Sequence, residues 1–143
     1  MVKLKETRLI QRPVNEVFDY TADFNNIEEW DPGVSSSSQL DDGPVGVGSR
    51  FELGVSFGTR RIPMTYEITE YEPNERVVLI GKGEQIEAVD DIRFEDRDGK
   101  TKVDYTADLT FHNYVKYFAP FMGPVFKKVG ERAVDGLKER LEK

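Results

Sequence analysis

The stretch Phe118-Ala119-Pro120-Phe121-Met122-Gly123-Pro124-Val125-Phe126-Lys127-Lys128-Val129-Gly130-Glu131-Arg132-Ala133-Val134-Asp135-Gly136-Leu137-Lys138-Glu139-Arg140-Leu141 decides the fold. At about 100° per residue, Phe118, Met122, Val125, Phe126, Val129, Ala133 and Leu137 fall within roughly 120° of arc. Lys127, Lys128, Glu131, Arg132, Asp135, Lys138, Glu139 and Glu142 take the other side. The pattern predicts one long amphipathic helix over 118–141 with an apolar stripe wide enough to lie on a core. Arg140 sits in the stripe's phase, near an end where its stem can snorkel. Upstream of Asn113 the chain reads mostly as strands, so a single helix must close a whole sheet.

Working back from that helix, residues 2–11 alternate, with Val2, Leu4 and Ile10 on one face and Lys3, Lys5 and Thr7 on the other. Pro13 ends this strand and suits an early helix position. A short helix is predicted over 14–22 and a second over 24–30, which the breaker Asp31-Pro32-Gly33 stops. Six further strands follow: a serine-rich one over 34–40, then 50–56, one carrying Ile62, Met64, Tyr66 and Ile68, then 76–82, one carrying Ile86, Ala88, Ile92 and Phe94, and a last one carrying Val103, Tyr105, Ala107, Leu109 and Phe111. Pro63, on the outer face, predicts an edge or an irregular stretch. Asp98-Gly99 predicts a hairpin turn. Segregated helices and consecutive strands give an α+β class, with a seven-stranded antiparallel sheet, two short helices between strands 1 and 2, and one long C-terminal helix. Such a sheet twists and curls. One helix across its concave side cannot fill it evenly, so a cavity between sheet and helix is expected.

Composition narrows the function. With 143 residues, one domain over 1–143 is expected. The absence of cysteine excludes thiolate chemistry, and a single histidine argues against histidine metal sites or a Ser-His pair. A net charge of −7 disfavours nucleic acid as a partner. No apolar run approaches the ~20 residues of a membrane span, and the first residues lack a signal peptide's apolar core. A cytoplasmic protein with no stable membrane insertion is the expectation; oligomeric state stays open. The glycine loop 43–48 has no following Lys-Ser/Thr and opens no helix, so it predicts a flexible lid rather than a phosphate cradle. His112 is expected to be a capped surface residue. Asp41-Asp42 and Asp90-Asp91 lack metal-ligand spacing, so no metal and no cofactor are expected.

Arg12-Pro13-Val14-Asn15-Glu16-Val17-Phe18, Ala22-Asp23-Phe24 and Trp30-Asp31-Pro32-Gly33-Val34 resemble the opening of the polyketide cyclase/dehydrase and lipid-transport family. That family belongs to the START-like, Bet v 1-like (SRPBCC) helix-grip superfamily. Gly46-Val47-Gly48, Asp98-Gly99 and Gly130-Glu131-Arg132-Ala133 are similar to it too, so the resemblance covers nearly the whole chain. It implies a seven-stranded sheet gripping the C-terminal helix around a hydrophobic cavity. It also implies activities that range from aromatase/cyclases to lipid and quinone carriers, and it puts Trp30 near the cavity mouth.

The candidate site residues are polar or aromatic positions in phase with apolar faces. Glu6 and Arg8 share the face of Leu4 and Ile10, and Asp90 shares that of Ile86, Ala88, Ile92 and Phe94. Either these charges line the cavity, with Arg8 pairing to Glu6 or Asp90, or Glu6–Arg8 sit beside water at a strand end and Asp90 marks a bulge. Tyr66 and Tyr105 point inward and want partners. Phe51, Trp30, Phe118 and Met122 complete the ligand-binding set. Three readings stay open. The first is a binding or transport protein for a lipid, a quinone-like or a polycyclic aromatic molecule. The second is a cyclase, aromatase or dehydratase with Arg8, Asp90 and Tyr105 as candidate acid–base groups. The third is a protein-interaction module.

Overall fold

The computed structural model describes residues 2–57, 59–113, 117 and 123–143. Strand β1 (Val2–Ile10) is followed by helix α1 (Val14–Ala22), a 3-10 turn (Phe24–Asn26) and the single-turn helix α2 (Ile27–Trp30). Six strands come next: β2 (Val34–Gln39), β3 (Arg50–Phe57), β4 (Arg60–Glu72), β5 (Arg76–Lys82), β6 (Ile86–Arg97) and β7 (Lys100–Phe111). Helix α3 (Gly123–Leu141) closes the chain. The strands form one antiparallel sheet in the order β1-β7-β6-β5-β4-β3-β2. The consecutive strands β2 to β7 are therefore neighbours in space, and α1 and α2 carry the chain from one edge of the sheet to the other.

Period-two patterning sets which face is covered. In β6, Ile86, Ala88, Asp90, Ile92 and Phe94 are buried while Val89, Arg93 and Glu95 are exposed. The register runs unbroken through Asp90, which pairs with Leu79 on one side and Ala107 on the other. Asp90 is thus an ordinary inward residue and not a bulge. The β6–β7 turn places both Asp98 and Gly99 at positive φ (55° and 84°), the geometry of a tight two-residue hairpin. Pro63 pairs with Gly54 in β3, but the pairing of β4 with β5 starts only at Thr65, so Pro63 occupies a local edge where no ladder donor is required.

The closed part of the core lies under α1 and the 3-10 turn. Phe18 meets Tyr71 and Phe94 edge-on, with ring centroids 5.2 and 5.1 Å away. Phe24 packs on Phe51 and Tyr66 at 6.1 and 5.6 Å. Helix α3 lies along β1 and against α2. Its buried residues are Phe126, Ala133, Val134 and Leu137. This corrects the predicted stripe: Val125 and Val129 are 53% and 44% exposed, and Val134 replaces them in the interior. Gly136 shares the helix face of Val125 and Val129, and an added Cβ there would collide with the Trp30 carbonyl oxygen. Glycine there lets α3 settle onto α2, and burial extends to Val134 because α3 also lies along β1, where Gly130 approaches Leu4 and Glu6. Residues 118–122 of the predicted helix lie outside the described residues. Among the described residues, no helix is long and apolar enough to cross a membrane.

Gly136→Ala tests this contact. The added methyl meets backbone rather than a pliable side chain, so α2 has to move. Stability to urea is expected to fall by about 1–3 kcal/mol, despite the ~1 kcal/mol that alanine adds to a helix interior. A stabilised variant would show that α3 does not need the close approach.

Candidate functional site: a cavity between sheet and helix

Between α3 and the inner face of the sheet lies a cavity of about 180 Å³. Its sheet wall is built from Leu4, Glu6, Leu53, Met64, Tyr66, Ile86, Ala88, Asp90, Tyr105, Ala107 and Leu109. Helix α3 contributes Val125, Phe126, Val129, Gly130, Ala133 and Val134, and the segment after α2 contributes Asp31, Gly33 and Val34. Val125 and Val129 line the cavity and are also exposed, so it opens to solvent beside them, facing Gly33 and Val34. The wall is mostly apolar, as ligand sites usually are, with a few convergent polar groups.

Those polar groups gather at one place. Glu6 pairs with Tyr105 across β1 and β7, and Tyr105 pairs with Ile92 on β6, which sets Tyr105 diagonal to Asp90 on the same face. The Tyr105 hydroxyl donates to Asp90 Oδ2 at 2.5 Å. Asp90 is only 6% exposed, and among the described residues it has no ion-pair partner. Burial pushes its carboxyl up to about 7, against the opposing hydrogen bond from Tyr105; the charge of Asp31 adds to the rise. Asp31, partly exposed, accepts the Gly33 N–H at 2.8 Å, and desolvation still raises it to about 6. Burial, then the negative charge of Asp90, pushes the Tyr105 and Tyr66 hydroxyls well above the ordinary tyrosine range. Tyr66 is 8% exposed, and its hydroxyl has no hydrogen-bond partner among the described residues. Its ring lies over Gly81, its neighbour on β5, where a Cβ would fall 2.5 Å from the ring.

The structure sorts the sequence-predicted residues. Glu6, Tyr66, Asp90 and Tyr105 come together on the cavity wall. Arg8 is not on the wall. Of the two pairings open to it, the one with Glu6 forms, at 3.3 Å, and the one with Asp90 does not; its Nε instead donates to Asp135 Oδ1 of α3 at 2.7 Å. Trp30 and Phe51 are buried off the wall. Trp30 packs edge-on against Tyr105 at 6.4 Å and supports it from behind, while Phe51 belongs to the Phe24 cluster. Phe118 and Met122 lie outside the described residues. The Gly43–Gly48 loop joins β2 to β3 at the Gln39–Phe51 end, whereas the cavity lies toward the Val34–Val55 end; the loop borders none of it, so a lid role there is not what the geometry offers. His112 is exposed, with Nε2 3.3 Å from Glu87. Among the described residues no cluster of three or more His, Cys, Asp or Glu could hold a metal. Asp31 is the site residue that sequence reasoning missed. Its Asp-Pro-Gly context signals a turn and gives no period that would aim a side chain inward.

A seven-stranded antiparallel sheet closed by a C-terminal helix over an internal cavity is the helix-grip fold. The chain belongs to the family described as polyketide cyclase/dehydrase and lipid transport, which residues 1–142 match. No curated protein matches it in sequence. Among solved structures it is similar to a protein from Thermus thermophilus (TM-score 0.83, 15% identity, covering 97% of this chain and 96% of that one). It is also similar to the Zhui aromatase/cyclase from a Streptomyces species (0.81, 13%, 98% and 93%). A START superfamily protein from Mycobacterium smegmatis is a third (0.78, 16%, 98% and 97%). At these identities the likeness is one of fold.

Two outcomes are expected. The Asp90 carboxyl titrates above its unfolded value of 3.8, so the folded chain holds that proton more tightly. Stability therefore falls as pH rises from about 4 to about 7 and stays low above. Asp90→Asn removes this penalty and keeps an acceptor for Tyr105. Urea titrations should find it more stable than the parent at pH ~8 by a few kcal/mol, since each tenfold difference in proton affinity is worth roughly 1.4 kcal/mol. The gain should vanish near pH 4. A variant less stable at pH 8 would place Asp90 in a solvated setting. For Arg8→Met, the closer partner Asp135 is 61% exposed and only the longer contact is with the half-buried Glu6, so the loss should stay at ~1–2 kcal/mol. A loss of about 3 kcal/mol or more would require a buried pair.

Proposed function

We propose that this protein binds a compact hydrophobic small molecule in the cavity between sheet and α3, with one polar group of that molecule at Asp90, Tyr105 and Tyr66. The observation that carries the reading is the contrast within one wall: mostly apolar side chains, interrupted by the carboxyls of Glu6, Asp31 and Asp90 and by two tyrosine hydroxyls, of which that of Tyr66 has no hydrogen-bond partner among the described residues. A ligand group that reaches these polar atoms gains hydrogen bonds that the wall itself does not make. Size supports a small occupant. The volume of about 180 Å³ is close to the ~150 Å³ of an engineered apolar cavity that admits benzene. One or two rings or a short acyl chain fit; a larger lipid or polycycle requires the mouth at Val125 and Val129 to widen. Membership of a family that spans cyclases and lipid transport supports an apolar ligand as well.

A second reading, acid–base catalysis on the bound molecule, has one specific observation in its favour. A carboxyl that titrates near 7 and faces the cavity is matched to proton transfer at neutral pH. Under that reading Asp90 moves the proton and Tyr105 steadies its charged form.

Val129→Trp tests the binding reading, since Val129 lines the mouth and is exposed enough to accept a larger side chain. An apolar fluorescent probe should bind the parent and lose affinity by about tenfold in the variant, roughly 1.4 kcal/mol. Equal affinity in a folded variant would move the probe's site elsewhere. Native mass spectrometry of the purified protein then weighs the co-purified molecule.

A further inference from the structure

We infer that the polar group of the ligand is a cation, so that the cavity takes an apolar amine or ammonium compound rather than a fatty acid or a neutral lipid. This rests on the cavity being a binding site and adds the sign of its occupant. Three carboxyl-bearing residues, Glu6, Asp31 and Asp90, line the cavity, and among the described residues no lysine, arginine or histidine does. Arg8 is the cation nearest in sequence and strand face, and Asp135 draws it away toward α3. What remains of its reach goes to Glu6, which leaves Asp31 and Asp90 without a positive partner among the described residues. A buried charge without a partner is costly, and here the described chain supplies none.

The uncharged groups point the same way. Tyr105 uses its hydroxyl proton on Asp90 Oδ2, so the second carboxylate oxygen remains to accept from a ligand N–H. The hydroxyl of Tyr66, a residue only 8% exposed, is unpartnered among the described residues and can accept another. The rings of Tyr66 and Tyr105 also present electron-rich faces of the kind that attract ammonium groups. An anionic ligand would instead meet two carboxyls, of which Asp31 already raises the titration point of Asp90 by its charge. The net charge of −7 favours the approach of cations.

The groups that face Asp90 are Tyr105 on β7, Tyr66 on β4, Asp31 after α2 and Glu6 on β1, while α3 contributes only Phe126, Ala133, Val134 and similar apolar residues. A bound cation therefore favours the ionised carboxylate directly, and its binding near neutral pH drives protons off. An alkylammonium keeps its own charge there, like lysine with a titration point near ~10.

The test compares three probes with one phenyl ring and one chain length: phenylbutylamine, phenylbutanol and phenylbutyrate. Calorimetry at pH ~8 should find the amine bound at least about tenfold more tightly than the alcohol, the step that about 1.4 kcal/mol gives, and the carboxylate weakest. In Asp90→Asn the amine's advantage should shrink to about threefold or less while the alcohol still binds. At pH ~6.5, titrations of the parent in two buffers of different ionisation heat should show proton release for the amine and none for the alcohol. Alcohol binding as tight as the amine, or an amine preference unchanged in Asp90→Asn, overturns the cation and leaves the cavity as a binding site. If none of the three binds, both the cation and the cavity reading fall.

Discussion

Within the described residues, α3 runs along β1 at one edge of the sheet and meets β7 where Phe126 packs on Phe111, and the strands beyond turn their inner face toward space that one helix does not fill. Two rows of aromatic contacts under α1 and the 3-10 turn close one part of that space, at Phe18 and at Phe24. The rest stays open as the cavity. Gly136 lets α3 sit against the Trp30 carbonyl, and Val129 and Val125, earlier on the same helix face, lie at the mouth. Interiors pack densely and voids cost stability, so a retained cavity is a feature to be explained by use.

Asp90 gives the cavity its chemistry. An aliphatic residue at this place, flanked by Leu79 and Ala107, would close the wall with apolar surface. A carboxyl there loses water and gains only one hydrogen bond among the described residues, from Tyr105, which Trp30 in turn supports. Burial accordingly raises its titration point. Desolvation of this kind concentrates at functional sites. It distinguishes a wall meant for a polar partner from one meant only to exclude water.

How much of this the sequence made legible depends on period. Strand alternation is a strong local signal, so Asp90, Tyr105, Tyr66 and Glu6 could be assigned an inward face from their neighbours alone, and they share the wall. The two short helices and the turn at Asp98-Gly99 were equally local. Other features depended on contacts between distant segments. Arg8 reaches Asp135 across 127 residues, and nothing in either helix or strand phase links them. The shift of the α3 stripe toward Val134 comes from packing along β1, a distant segment that no periodicity contains. Asp31 enters the cavity from a turn, where side-chain direction follows the hydrogen bond to Gly33 rather than a repeat. Trp30 and Phe51 were legible as inward but not as off the wall, because burial alone does not separate core from cavity lining.

The claim on which the site rests is that Asp90 is a buried carboxyl held, among the described residues, by one tyrosine hydrogen bond inside a mostly apolar wall. Carbon-13 NMR of the labelled aspartate carboxyls, followed through a pH titration of the ligand-free protein and assigned with Asp90→Asn, measures it directly. Burial requires the Asp90 resonance to titrate with a midpoint of about 7. A midpoint near the ordinary aspartate value of about 4 would put water or a positive partner at Asp90 and contradict the site described above.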